Sequence, residues 1–217
     1  RNFLVPFFIP LSMILKEKFF QLCFQFNQDE ILIANLWQEI EKRYSEKGRH
    51  YHNLTHLENM FLELELVKDK ILNFKTIAFS VFYHDVIYNA SSKLNEEKSA
   101  KFAEAKLEKL GLSKTDIRDI SEQILATKSH QSSENNDTNY LLDVDLSILG
   151  KDIETYLKYT KQIRKEYSIY PDFLYKPGRR KVLQHFLELE SIFKTDYFKE
   201  KYEISARENI EFEIGKL

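Results

Sequence analysis

Five of the chain's six histidines, His50, His52, His56, His84 and His130, fall in its middle portion. They stand in a pattern: His52-x-x-x-His56, then the adjacent pair His84-Asp85, then Asp143-x-Asp145. Imidazole nitrogens and carboxylate oxygens together suit Mn, Fe, Co, Ni or Zn, with Mg admitted where fewer histidines bind. On a helix, His52 and His56 at i and i+4 share a face and approach one point in space. His84 and Asp85 diverge there by about 100°, so both reach one cleft from different directions. A buried aspartate in apolar surroundings needs a partner, because an unpaired charge is costly in low dielectric. A divalent cation meets that need. Taken singly, each histidine reads more simply as a hydrogen-bonded core residue; the ordered conjunction points to a metal centre.

The elements that must carry these residues are helices. Ile33, Leu36, Trp37, Ile40 and Tyr44 make an apolar stripe behind Asp29, a good N-cap residue, with Gly48 just past the end. A second stripe runs through Leu57, Met60, Phe61 and Leu64. Phe74 to Tyr88 is apolar nearly all round, which predicts a central helix with His84 and Asp85 inside it. Asn95 opens a helix that Gly111 stops, and Ser113 with Asp116 caps the next, through Leu125. Gln131 to Asn139 reads as an exposed polar loop, with Asp143 and Asp145 at the start of a short helix after it, and Ile153 to Tyr167 as amphipathic. Two prolines and a glycine predict an irregular connection over Tyr170 to Gly178, followed by helices at Arg179 to Phe193, Asp196 to Tyr202 and Ser205 to Ile214. The fold class is therefore all-α, a helical bundle. Residues 1–28 are expected as an N-terminal extension with a first helix, and 29–217 as the main domain.

Composition removes other phosphate-handling machinery. The 217 residues include only five glycines and four prolines, against the roughly 12% that average usage supplies. The glycines are too far apart to share a loop, which excludes the dinucleotide fingerprint, the P-loop and the G-x-S-x-G elbow. A net charge of −2 and a pI near 6.4 argue against a dedicated nucleic-acid binder. Cys23 is alone, so no internal disulfide forms, and a cytoplasmic location is expected. Phe3 to Leu15 is short and holds Pro6 and Pro10, which makes it a poor membrane span or signal peptide. Met13 is expected as the natural start, with residues 1–12 upstream of it. A membrane partner is not expected.

The elements Tyr51-His52-Asn53-x-x-His56, His84-Asp85 and Asp143-Val144-Asp145-Leu146 resemble the HD superfamily of metal-dependent phosphohydrolases. Arg49-His50-Tyr51-His52-Asn53, Asn95-Glu96-Glu97-Lys98-Ser99-Ala100, Gly178-Arg179 and Ala206-Arg207-Glu208-Asn209 look more narrowly like a bacterial group of predicted HD phosphohydrolases without an established substrate. The likeness covers about residues 30–212. It implies an HD-like helical bundle in which His56, His84, Asp85 and Asp145 hold one or two divalent ions, with Asp143 the alternative to Asp145. Tyr51-His52-Asn53-x-x-His56 is also similar to the opening of the cyclic nucleotide phosphodiesterase motif, which makes His52 the general acid. The glutamine-centred nucleotide clamp of that group has no counterpart here.

On this reading metal-activated water attacks phosphorus in line and His52 protonates the departing oxygen. Asp85 serves as a bridge to a second ion, and His130 as its extra ligand or else as a solvated helix end. Glu96 is a candidate base, although a glutamate at a helix start is also favoured by the dipole. Arg49, Arg179 and Arg207 are candidate phosphate clamps, since a guanidinium fork matches phosphate oxygens; each is equally a partner for nearby carboxylates. His185 reads as structural. Tyr51, Tyr83 and Tyr88 are read first as core packing and second as stacking surfaces for a base. The expected partner is a phosphorylated small molecule, a nucleotide by resemblance. The alternatives are an HD-type di-iron oxygenase and a non-catalytic, metal-stabilised binding module.

Overall fold

Helix caps set the frame. The Asp29 carboxylate accepts the N–H groups of Ile31 and Leu32, Asn53 that of Thr55, Ser113 that of Asp116 and Asp152 that of Thr155. In this computed structural model residues 11–217 are described, and they form ten α-helices without a strand. These are α1 (Leu11–Cys23), α2 (Glu30–Tyr44), α3 (Leu54–Glu65), α4 (Phe74–Tyr83), α5 (Asn95–Leu110), α6 (Lys114–Ala126), α7 (Asn136–Leu146), α8 (Ile153–Glu166), α9 (Asp172–Glu188) and α10 (Asp196–Lys216). The all-α reading holds. The expectation about residues 1–12 falls almost wholly outside the described residues.

Helix α4 is the centre, buried from Thr76 to Tyr83 and packed on α3, α5, α6 and α7. Phe79 and Phe82 meet Phe19 of α1 edge-on at 6.5 and 5.1 Å, and Trp37 of α2 meets Phe82 at 6.3 Å. Helix α1 thus belongs to the same core as α2 to α4. A 3-10 turn at Ser147–Gly150 lies against α10 so closely that a Cβ on Gly150 would sit 2.4 Å from that of Tyr202. Only glycine permits that approach.

Several boundaries differ from the sequence expectation, some because tertiary partners take up backbone groups and others because local caps or side-chain pairs set the helix end. The central apolar run stops being helical at Tyr83. Beyond it, the Asp85 N–H goes to the Tyr44 hydroxyl and that of Ile87 to Ser99 Oγ, while Val86 N–H makes a single turn to the Tyr83 carbonyl, so the apolar run leaves the helix for tertiary partners. Asn53 caps α3, which leaves His52 outside the helix rather than one turn before His56 on its face. Much of the expected polar loop is the first turn of α7: Asp137 is buried, accepting the N–H groups of Leu72 and Asn73. Asp143 and Asp145 accordingly lie at the end of a helix, not its start. The expected irregular connection at 170–178 is largely helical, since α9 runs through Pro177 and Gly178. Helix α10 is continuous where two helices were expected, and the i, i+4 pair Glu203–Arg207 spans the expected break.

Candidate metal centre

Three elements deliver one side chain each to the same point. His56 is in the first turn of α3, His84 caps the C-terminus of α4, and Asp145 is in the last turn of α7. Their donor atoms all lie within 4.8 Å of one another. His56 Nε2 is 3.2 Å from His84 Nε2 and 3.2 Å from Asp145 Oδ1, and His84 Nε2 is 3.8 Å from that oxygen. Asp85 Oδ2 approaches His84 Nε2 from another side at 3.1 Å. Three of the four ligands implied by the resemblance therefore converge, and Asp85 stands beside them in contact with His84. His84 Nδ1–H donates to the Val81 carbonyl at 2.9 Å, which fixes the ring and turns Nε2 toward the cluster.

The electrostatics suit a cation. Two buried imidazoles facing each other at 3.2 Å beside two carboxylates leave either a shared proton or an ion between them. Burial opposes charge on His84, yet Asp85 and Asp145 outweigh it and lift its pKa to about 9. Burial instead lowers His56. Burial also opposes ionisation of Asp85 and Asp145, but the surrounding histidines overcome it and hold both carboxyls far below the ordinary range. Imidazole nitrogens, free to bind once His84 gives up its proton, with ionised carboxylates are a borderline donor set that fits Mn, Fe, Co, Ni or Zn, and the residues present fit such an ion.

Asp143 and Asp145 separate cleanly. The Asp143 carboxylate faces the other way, accepting the N–H groups of Lys194 and Thr195 and the Thr195 hydroxyl at 2.6 to 2.7 Å. Burial still raises its pKa to about 6. It anchors the entry to α10, and Asp145 is the residue at the cluster.

His52 stands beside the cluster rather than in it, with Nε2 at 3.9 Å from Asp85 Oδ2 and on the wall of a cavity. Its other nitrogen is held: Nδ1–H donates to Glu166 Oε2 at 2.6 Å. Glu166 Oε1 accepts the backbone N–H groups of His50, Tyr51 and His52 at 2.7 to 2.9 Å, and the Tyr88 hydroxyl donates to Oε2 at 3.0 Å. The Tyr88 ring stacks on His52 at 4.2 Å. Burial lowers the His52 pKa, but Asp85 and Glu166 outweigh it and raise the value, while burial opposes and His52 with the loop N–H groups overcomes it to draw Glu166 down to about 2. Glu166 is the functional residue that sequence reasoning missed. Its signal was an acidic residue in the last turn of α8 beside Arg164 and Lys165, where the helix dipole disfavours negative charge.

The remaining candidates divide. His130, in the left-handed region at φ 50°, donates to Asp145 Oδ2 at 2.9 Å, so its ring is tied to a carboxylate of the cluster rather than left to solvent. Arg49 is no phosphate clamp: its guanidinium is buried, donating to the carbonyls of His52, Asp85 and Val86 at 3.2, 2.6 and 3.0 Å. It staples the His52 loop to the Asp85 loop. Arg207 is likewise no clamp, tied to Glu203 and the carbonyls of Leu187, Leu189 and Glu190 to brace α10 against the end of α9. Arg179 reaches the cavity wall but is paired bidentately with Glu213 at 2.8 and 3.0 Å. Glu96 lies on the same wall, and its neighbour Glu97 pairs with Lys128. His185 is exposed at the cavity edge, Tyr83 is core, and Tyr51 packs between His56 and Tyr159 at 4.9 and 4.7 Å.

The cavity reaches the cluster through Asp145, His130 and His52 and encloses about 1040 Å³. Among the described residues no helix is long and apolar enough to cross a membrane. No family model, curated protein or solved structure matches this chain.

Proposed function

We propose that the chain is a metal-dependent phosphohydrolase acting on a phosphomonoester or phosphodiester of a small molecule, with nucleotides the first class to test. The observation that carries the reading is the convergence of His56, His84 and Asp145, with Asp85 against His84, beside a histidine, His52, that Glu166 holds by a 2.6 Å hydrogen bond at a cavity wall. A divalent ion bound there supplies Lewis acidity toward a phosphoryl oxygen and lowers the pKa of a coordinated water.

The chain's own residues do the rest. In-line attack by water forms one P–O bond as the opposite P–O bond breaks, and the leaving oxygen takes the proton from His52 Nε2. Nδ1–H stays on Glu166 throughout, so the imidazole keeps its orientation as its charge changes. The proton released by water passes to solvent through the open cavity, from which His52 is recharged. Arg49 holds the two loops that set the spacing of His52 and Asp85.

The test is a panel of phosphomonoesters and phosphodiesters incubated with metal-loaded protein, read by phosphate release and chromatography. Turnover that depends on added metal and falls in His52→Ala is expected. A bound metal with no cleavage of any panel member would favour the binding-module reading, and mixed-valent iron in protein purified without added metal would favour the oxygenase.

A further inference from the structure

The metal cluster occupies one end of a cavity far larger than a phosphoryl group needs. At about 1040 Å³ it is at the upper limit of small-molecule sites, so most of it must receive another part of the ligand. Its far wall, built by α8, α9 and the turn between them, carries Tyr159, Tyr167, Tyr170 and Tyr175. Tyr51 connects this wall to the cluster, 4.7 Å from Tyr159 on one side and 4.9 Å from His56 on the other.

Neighbours hold these rings in place. The Arg164 guanidinium lies 4.6 Å from the Tyr175 ring while pairing with Asp172, and that of Arg179 lies 5.4 Å from the Tyr159 ring while pairing with Glu213. Both arginines are neutralised by carboxylates, so they stiffen the wall without making it an anion site. Gly178 lies on the wall too, and a Cβ there would meet nothing within 4 Å. A glycine inside a helix costs stability relative to alanine, so its presence here is consistent with room kept for a ligand.

Phenol rings offer flat apolar faces with polar tips, and a covered hydroxyl needs a hydrogen-bond partner. The Tyr159 hydroxyl already accepts from Arg179 at 3.4 Å, so the ring faces are what the wall offers, and a planar ring stacks on them where a flexible hydrocarbon chain gains no such geometry. We infer that the tyrosine-lined lobe between α8 and α9 binds a planar heteroaromatic group on the substrate, and that Gly178 keeps that lobe open. The inference rests on the phosphohydrolase reading for the placement of the phosphoryl end, and adds the chemistry of the other end.

Calorimetry on metal-loaded protein with three non-hydrolysable probes tests it: methylphosphonate, hexylphosphonate and quinolinylmethylphosphonate. The quinolinyl compound is expected to bind at least about tenfold more tightly than the other two, as ring stacking on aromatic side chains supplies. Gly178→Trp should erase this preference and leave methylphosphonate and metal affinity unchanged; Tyr175→Leu, which keeps bulk but removes the phenol, should reduce it. Equal affinity for all three probes, a hexyl compound as tight as the quinolinyl one, or a preference that survives both substitutions would overturn the lobe assignment while leaving the phosphohydrolase reading intact. Failure of every phosphonate to bind protein that does hold metal would overturn both.

Discussion

Helices α7 and α9 both border the cavity, yet they are held in opposite ways. Nine of the eleven residues of α7 are buried, including Asp137, Asn139 and Asp143, whereas Leu183 is the one buried residue among the seventeen of α9. Polar side chains on α7 are fully engaged across the fold, with Asp137 on the 72–73 backbone and Asp143 on the 194–195 backbone. Helix α9 is fastened mainly by Leu183 and by the ion pairs of Asp172 with Arg164 and Arg179 with Glu213. Groups that must meet within about 4 Å sit on the deeply buried element, and the wall facing the rest of the ligand sits on the lightly anchored one. Placement of the donor groups and the wall facing the rest of the ligand are separated by helix rather than mixed within one loop.

The sharpest way to break this comparison uses two residues of α7. Asp145→Ala is expected to abolish stoichiometric metal binding, read by elemental analysis, with melting temperature little changed in the absence of metal. Asp143→Ala should do the reverse, keeping the metal and costing about 3 kcal/mol in denaturant unfolding, because buried N–H donors lose their acceptor. If both variants lost metal equally, the division of labour between the two aspartates would be wrong.

A large kinetic effect is expected next, at His52. His52→Ala should retain the metal and lower kcat by about 10² to 10⁴, the usual contribution of a positioned acid, and least for substrates with good leaving groups. Unchanged turnover on a substrate with a poor leaving group would remove His52 from the mechanism.

Stability against acid probes the residue behind it. Glu166 is drawn from an ordinary value near 4.5 to about 2 in the folded chain, so between these values the unfolded chain holds more protons than the folded one. The stabilisation is present above pH 4.5 and is lost as pH falls toward 2, amounting to about 3 kcal/mol. Glu166→Gln should flatten the thermal stability profile over that interval. A profile as steep as the parent's would show that the carboxylate contributes nothing there.

The smallest effect belongs to α9. Gly178→Ala should stabilise the protein by about 1 kcal/mol, or about 2 to 4 °C in Tm, since the helix gains a better former and the Cβ meets no neighbour. Calorimetric melting measures it directly. A loss of stability would mean that the α9 backbone at Gly178 is strained, contrary to its open surroundings.

Much of this architecture was legible in the chain because it depends on local chemistry. Asp29, Ser113 and Gly111 mark helix ends through their own side chains or backbone freedom, and they do so in the structure. The stripe of α2 predicts its buried face residue by residue, and that of α3 does so for its apolar residues while Glu63 is buried beside them. The set His56, His84, Asp85 and Asp145 came from the resemblance, and the structure groups His56, His84 and Asp145, though His52 and His56 were expected on one helix and are not. Where reading failed, the deciding partner was distant in sequence: Tyr44 and Ser99 end the helical part of the central run, and Leu72 and Asn73 give Asp137 its place inside α7.

The residue types and their order determined by themselves an all-α chain with a His and Asp donor set and no glycine cradle for phosphate, because periodicity, capping and donor chemistry are local properties. Only the tertiary structure decided that Asp145 and not Asp143 turns to the cluster, that Arg49 and Arg207 brace backbone instead of reaching a ligand, and that Glu166 holds His52. Each of those depends on which polar group lies opposite after folding, and a buried charge goes to whichever partner repays its desolvation.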